Sequence, residues 1–330
     1  MNEGVLSVVG NTPLIKLNRI FRDIDFHLYA KLECLNPGGS TKDRSAASII
    51  RHGIESGAIR RGTVVIESSS GNMGIGLAQA CAYNDLELIC VIDPKTTQQN
   101  LNLLKAYGAT VDMVTEPDPN TGEFLQARIN RVQELLRTTK NSFWSNQYAN
   151  LHNPLAHEQT MREIATVLDD KVDYLFCATS TCGTMRGCGD YVKEHGLTTK
   201  MIAVDAIGSI IFGGQKAKRL IPGHGAAVRP QLYRDDLADE VVLVSDVACV
   251  VGCRRLVRAE SLLVGGSSGA VVAAVDQMKD QLRRGSTCVV IFADRGERYL
   301  ATIYSDEWVD EHFGDVADLW TDPLEVAAYV

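Results

Sequence analysis

Along the chain, short apolar β-branched runs alternate with longer stretches whose apolar residues recur every three or four positions. The first pattern reads as strand and the second as amphipathic helix. Strands are predicted at 27–33, 63–67, 87–92, 110–114, 172–177, 200–205, 240–244 and 286–291. Helices are predicted near 41–56, 72–84, 97–107, 124–138, 155–168, 183–195, 246–259 and 268–283. Glycine, proline or asparagine punctuates most junctions. Such alternation implies βαβ units, hence an α/β fold with a mostly parallel sheet flanked by helices. Leu88-Ile89-Cys90-Val91-Ile92 and Cys288-Val289-Val290-Ile291-Phe292 are apolar without alternation, as strands buried on both faces are. The stretch 207–236, with Gly213, Gly214, Pro222, Gly223 and Gly225, has no period and reads as a long functional loop. Past residue 305 the helical signal fades, and 321–330 reads as a loose tail.

At 330 residues the chain exceeds the roughly 250–300 residues at which a single core stops growing, so two lobes are expected. The break is placed near 145–155, giving lobes at 36–150 and 151–330, with an N-terminal strand segment, 1–35, packing with the second. The net charge of −8 offers no basic footprint for nucleic acid. No apolar run reaches the ~18 residues of a membrane span, and Met1-Asn2-Glu3-Gly4 opens no secretory signal. Nine scattered cysteines fit the reduced thiols of a cytoplasmic protein. Cys177, Cys182 and Cys188 cluster without paired spacing, so they read as buried thiols and no metal is expected. His152 and His157 read as surface or packing histidines.

Four segments carry candidate chemistry. Lys42 ends the turn Asn36-Pro37-Gly38-Gly39-Ser40-Thr41 and opens a helix. Lysine is the side chain that forms a Schiff base with pyridoxal phosphate, although a surface lysine at a loop-to-helix turn has the same local pattern. Glu67-Ser68-Ser69-Ser70-Gly71-Asn72-Met73-Gly74 follows a strand and starts a helix, where hydroxyls and N–H groups make either an anion site or an ordinary N-cap. Thr179-Ser180-Thr181-Cys182-Gly183-Thr184 repeats that geometry and reads as a phosphate cradle that is neither a Walker loop nor G-x-G-x-x-G. Gly265-Gly266-Ser267-Ser268-Gly269-Ala270 starts another helix, with a serine suited to a pyridine nitrogen or a simple glycine-rich cap.

Ordered in this way, from Gly10-Asn11-Thr12-Pro13-Leu14 to Gly296-Glu297-Arg298-Tyr299-Leu300, the motifs resemble the fold-type II pyridoxal-phosphate β-replacement family, which includes cysteine synthase and cystathionine β-synthase. The resemblance implies two lobes of tryptophan synthase β-like architecture, each a mostly parallel twisted sheet. The smaller lobe would be mobile and bind substrate; the larger would bind the cofactor phosphate. Lys42 would carry pyridoxal 5'-phosphate and act as general base at the substrate Cα. Asn72 would meet the ring oxygen, Ser180, Thr181, Cys182, Gly183 and Thr184 the phosphate, and Ser267 the pyridine nitrogen. Ser69, Ser70, Met73 and Gln147 would bind the substrate α-carboxylate. The reaction would pass through an aminoacrylate, with small amino acids as substrates and a homodimer as the assembly. No haem and no C-terminal regulatory domain are expected.

Several runs depart from typical cysteine synthases. Ser180 and Cys182 stand where glycines are usual, and Ala293-Asp294-Arg295-Gly296 replaces Pro-Ser-Ser-Gly. Tyr148, in Asn146-Gln147-Tyr148-Ala149-Asn150, puts a phenol where a small residue would admit sulfide. These runs are similar to the branch of the family that joins O-phospho-L-serine to L-glutamate with release of phosphate. On that reading the second substrate's carboxylates need a cation, and Lys216, Lys218, Arg219 and Arg229 are candidates. A cysteine synthase using sulfide, a serine or threonine dehydratase, and a catalytically silent binding homologue stay open.

Overall fold

The computed structural model describes residues 3–22 and 24–321. The tail expected at 321–330 therefore lies, from 322 onward, outside the described residues. Among these residues the strands are β1 (Leu14–Leu17), β2 (His27–Leu32), β3 (Val64–Ser68), β4 (Glu87–Ile92), β5 (Thr110–Met113), β6 (Ser142–Trp144), β7 (Tyr174–Ala178), β8 (Lys200–Ala206), β9 (Glu240–Val244) and β10 (Thr287–Phe292). The helices are α1 (Lys42–Glu55), α2 (Asn72–Tyr83), α3 (Gln98–Ala106), α4 (Phe124–Thr138), α5 (His152–Val167), α6 (Gly183–Glu194), α7 (Asp246–Glu260), α8 (Gly266–Met278) and α9 (Asp306–Phe313). This is the α/β fold with helix-flanked parallel sheets that the alternation predicts. Three elements escape the sequence pattern. β1 and β6 are four and three residues long, too short to show a period. α9 has eight residues and is capped by Ser305, whose hydroxyl accepts from the Trp308 N–H at 3.3 Å.

The chain forms two compact units. The smaller groups residues up to Asn11 with Asn36–His157, and the larger groups Thr12–Leu35 with Glu158 onward. The N-terminal segment is therefore divided rather than held whole by the second lobe. The Gly10 N–H donates to Asn36 Oδ1 at 2.8 Å, and the Tyr83 hydroxyl donates to the Glu3 carbonyl at 3.4 Å, so the first residues belong with the smaller unit. Thr12–Leu35 supplies β1 and β2 to the larger one. The second boundary falls within α5, at His157.

The smaller unit is built on a parallel sheet of order β5-β4-β3-β6. Successive side chains of β3 face opposite ways, as a strand requires. Val65 joins a core with Ile49, Ile75, Leu77 and Leu104, while Ile66 packs on the other face with Val132 and Leu135. The larger unit holds a sheet of order β1-β2-β10-β7-β8-β9, parallel except for β1 at one edge. Along β10, Cys288, Val290 and Phe292 enter one core and Val289 and Ile291 the other. Burial on both faces is why this strand carries no polar alternation.

Helices α7 and α8 meet backbone to backbone. A Cβ placed on Gly269 would lie 2.1 Å from the Cys249 carbonyl, and one on Gly252 would lie 2.3 Å from the Gly269 carbonyl. All nine cysteines are buried, and none forms a disulfide. No helix among the described residues is long and apolar enough to cross a membrane.

Candidate active site

In a parallel sheet all strands deliver their carboxyl ends to one edge, and ligands bind there. The segments singled out in the sequence follow such ends: residues 69–71 follow β3, 145–151 follow β6, and 179–182 follow β7. Lys42, Ser69, Ser70, Asn72, Met73, Gln147 and Tyr148 fall in the smaller unit. Ser180, Thr181, Cys182, Gly183, Thr184 and Ser267 fall in the larger.

The turn before Lys42 is built by its own polar groups. Gly39 has φ +87°, a left-handed conformation that glycine adopts without a Cβ penalty, and its N–H donates to the Asn36 carbonyl at 2.8 Å. The Gly38 N–H donates to Asp43 Oδ2 at 2.6 Å, and the Lys42 N–H donates to the Ser40 hydroxyl at 3.2 Å. A Cβ on Gly38 would come 2.7 Å from Asp43 Oδ1, so the residue type is dictated by this contact. The half-buried Lys42 then opens α1. Helix α2 approaches closely because a Cβ at Gly76 would already lie 3.1 Å from the Lys42 carbonyl.

The turn between β3 and α2 is tied down from inside. The Ser69 hydroxyl accepts from the Gly74 N–H at 2.9 Å, so it caps the helix. Ser70 is half-buried; its hydroxyl accepts from Arg128 Nη1 at 3.3 Å and its carbonyl from Asn100 Nδ2 at 3.0 Å. Arg128 is braced by Asp93, whose Oδ2 lies 3.3 Å from Nε. Met73 is 2 % exposed and packs in the core. Only its backbone N–H, in the first turn of α2, is suited to an anion. Gln147 is buried; its Nε2 donates to the Ser68 carbonyl at 3.4 Å and its N–H to Glu67 Oε2 at 3.2 Å. Glu67 is fully enclosed, and burial raises its carboxyl above the ordinary range against the pull of its Ser145, Ser68 and Gln147 donors. His157 is buried beside Lys42 and Arg44; burial first, then those two cations, lowers it well below the ordinary histidine range. His152 stacks on His52 with ring centres 4.1 Å apart.

In the larger unit, Cys182 precedes α6 with φ +67°, a left-handed residue where a side chain costs about 1–2 kcal/mol. The Gly183 N–H donates to the Thr181 hydroxyl at 3.3 Å. Thr181 and Thr184 are buried and Ser180 is half-buried. Hydroxyls gathered on the N-terminus of a twelve-residue helix are the donor set a phosphate dianion takes. Burial pushes the Cys182 thiol up to about 12, with Asp205 and Cys177 adding to it. Ser267 is 2 % exposed, and a Cβ on Gly223 would lie 3.3 Å from its hydroxyl. The glycines around it answer to packing rather than capping. A Cβ on Gly265 would meet Asp294 Oδ1 at 2.0 Å, and one on Gly266 would meet Ile221 Cγ2 at 2.2 Å. Asp294 accepts from the Tyr299 hydroxyl at 2.5 Å.

Taken unit by unit, these residues have the chemistry pyridoxal phosphate needs: the smaller offers an amine at a helix start, and the larger offers hydroxyls and N–H groups at another and a buried neutral hydroxyl at Ser267. Of the basic loop residues, Arg219 donates to the His224 carbonyl at 3.1 Å and Arg229 to the Ile211 carbonyl at 3.0 Å. Both are engaged by their own loop, while Lys216 and Lys218 are exposed. Two residues gain a role only from the structure: Glu67, which opens the second singled-out run without a function of its own there, and Arg128, which lies in none of the four runs. Glu67 closes an apolar strand, and Arg128 sits in an amphipathic helix where arginine usually marks the solvated face. Nothing in either pattern signals a bond to the Ser68–Ser70 turn.

The chain is similar to several solved enzymes. The chain is 31% identical to the O-acetylserine dependent cystathionine β-synthase of Helicobacter pylori, with a TM-score of 0.85 over 91% of this chain and 98% of that one. It is 30% identical to O-acetylserine sulfhydrylase isoform 3 of Entamoeba histolytica, with a TM-score of 0.85 over 94% and 96%. An O-ureido-L-serine synthase is 25% identical, with a TM-score of 0.85 over 98% of both chains. Residues 5–294 match the family described as pyridoxal-phosphate dependent enzyme, and the chain belongs to that family.

Proposed function

We propose that this chain is an N-(2-amino-2-carboxyethyl)-L-glutamate synthase. It joins O-phospho-L-serine and L-glutamate and releases phosphate, supplying the precursor of 2,3-diaminopropionate for siderophore assembly. The coarser statement, pyridoxal-phosphate-dependent β-replacement in the cysteine synthase group, rests on family and relatives. The observation that supports the finer one is the Arg128 guanidinium, braced by Asp93 and bonded to Ser70. A guanidinium carries five donors in a planar fork and matches a phosphate better than it matches a neutral acetyl ester.

When bound, pyridoxal phosphate supplies the electron sink for breaking bonds at Cα and Cβ. Lys42 holds the cofactor and, once released, takes the proton from the substrate Cα and returns it to the product. Ser70, Gln147 and the N–H groups of Asn72 and Met73 bind the α-carboxylate, and the Ser69 hydroxyl shapes that turn. Asn72 orients the ring oxygen. Residues 180–184 anchor the cofactor phosphate, and Ser267 presents a hydroxyl rather than a carboxylate to the ring nitrogen. The smaller unit carries every substrate contact in this proposal.

The test mixes holoenzyme with O-phospho-L-serine and offers L-glutamate or sulfide in separate reactions, with mass spectrometry of the products and assay of phosphate. Glutamate adduct formed at least tenfold faster than cysteine is the expected outcome. Cysteine in excess over the glutamate adduct would replace the proposal with a cysteine synthase, the reading the sulfhydrylase relative favours.

A further inference from the structure

Glu67 stands at the end of β3, 2 % exposed, immediately before the Ser68–Met73 turn. Its Oε1 accepts from the Ser68 N–H at 2.8 Å. Its Oε2 accepts from the Ser145 hydroxyl at 2.6 Å and from the Gln147 N–H at 3.2 Å. The backbone ladder between β3 and β6 ends at Ile66 and Trp144, with one further bond from the Ser145 N–H to the Ile66 carbonyl. Beyond that point the two chain segments are joined through this carboxylate and through the longer bond from Gln147 Nε2 to the Ser68 carbonyl, 3.4 Å. With Oε1 turned to the Ser68 N–H and Oε2 to the Ser145 hydroxyl and the Gln147 N–H, both carboxyl oxygens act as acceptors, one toward each segment.

The same polar chain continues away from β3. Asn153 Nδ2 donates to the Gln147 carbonyl at 2.8 Å, the Ser45 hydroxyl donates to Asn153 Oδ1 at 2.7 Å, and His157 Nε2 lies 3.1 Å from the Ser45 hydroxyl. Ser45 is one turn along α1 from Lys42. Buried hydrogen bonds therefore run without a break from the Ser68 turn, through Gln147, to the helix that Lys42 opens.

We propose that Glu67 is a positioning residue for the amino-acid substrate: it locks the Ser68–Met73 turn and Gln147 at the separation the α-carboxylate requires. It touches neither substrate nor cofactor. The proposal rests on the reading above that this turn and Gln147 bind that carboxylate. Glu67→Gln keeps the shape but puts an amide donor against the Ser68 N–H in one orientation and against the Gln147 N–H in the other; the Ser145 hydroxyl can turn to accept, but an N–H cannot reverse its role.

The experiment compares wild-type, Glu67→Gln, Ser145→Ala and Gln147→Ala holoenzymes. Rapid-mixing titration of the cofactor's visible band with O-phospho-L-serine, and separately with O-acetyl-L-serine, gives the apparent Kd of the donor. Glu67→Gln is expected to raise Kd and KM at least tenfold, with a smaller change in kcat and unchanged cofactor content. Hydrogen exchange of the cofactor-free protein should show faster exchange at the Ser68 and Gln147 amides. Ser145→Ala removes one donor, leaves both strands intact, and should raise Kd about threefold; it carries the test if Glu67→Gln does not fold. Wild-type Kd in Glu67→Gln and Ser145→Ala, beside a weakened Gln147→Ala, overturns the role of Glu67. Wild-type Kd in Gln147→Ala as well overturns the carboxylate reading itself.

Discussion

Replacing Gly269 by alanine is the sharpest test of how the Ser267 helix is held. The added Cβ would sit 2.1 Å from the Cys249 carbonyl and 2.6 Å from Cys253 Sγ, where ordinary contact begins at 3.4 Å. The obstacle is backbone, so no rotamer change relieves it. Helices α7 and α8 must part by about 1 Å at this crossing, and a gap of that size forfeits a quarter to a half of each dispersion contact along the seam. Overpacking of this kind costs about 3 kcal/mol. At roughly 2–4 °C per kcal/mol for a unit of this size, the melting midpoint should fall by about 6–12 °C. Gly189→Ala is the control, since its Cβ meets only Met201 Cε, at 4.0 Å, within α6. Removing a helix-interior glycine there should stabilise by about 0.5–1 kcal/mol. Calorimetry of the two variants without cofactor reads both signs. A Gly269→Ala protein melting within 1 °C of wild type would show that the α7–α8 approach is not what the fold depends on.

Two further outcomes follow from charge. Burial lowers His224 from 6.5 to about 4, against Asp246 and with Arg219. Its folded value is depressed, so the unfolded chain takes up the proton first: stability is intact above pH 6.5 and is lost as pH falls toward 4, by about 3 kcal/mol in all. Urea melts across that window should show a shallower decline in His224→Leu, and parallel curves would remove histidine from the account. Arg128→Gln should raise KM for O-phospho-L-serine at least tenfold while leaving KM for O-acetyl-L-serine within about twofold. An equal effect on both donors would mean that Arg128 supports the Ser70 turn without meeting a phosphate.

Sequence periodicity located most of the framework because its core strands are enclosed on both faces; β4 and β10 show this as unbroken apolar runs. It missed β6, whose three residues pair with β3 only through tertiary context. Lys42, the Ser69–Met73 turn and the 180–184 segment stood out because helix starts after glycine or serine turns have a local signature. The glycines at 265, 266 and 269 look like a cap in sequence, whereas three different packing contacts impose them. No role for Glu67 or Arg128 could be read from the sequence, although Glu67 opens one of the singled-out runs. Their meaning lies in partners far along the chain, Ser145 and Gln147 for one and Ser70 and Asp93 for the other.

The enclosure of every thiol bears on chemical self-protection. A catalyst that generates an electrophilic carbon from an amino acid would be at risk from its own sulfurs, because thiolates are the strongest nucleophiles a protein carries. Here Cys182, at the mouth of α6, is kept as neutral S–H with burial as the main cause, and Cys90, 3.0 Å from the Ser69 carbonyl, is likewise pushed up to about 12. Neither competes with an incoming nucleophile while the fold is closed. Alkylation of these sulfurs would then report opening of the protein rather than turnover, so a thiol-labelling rate becomes a clock for local unfolding.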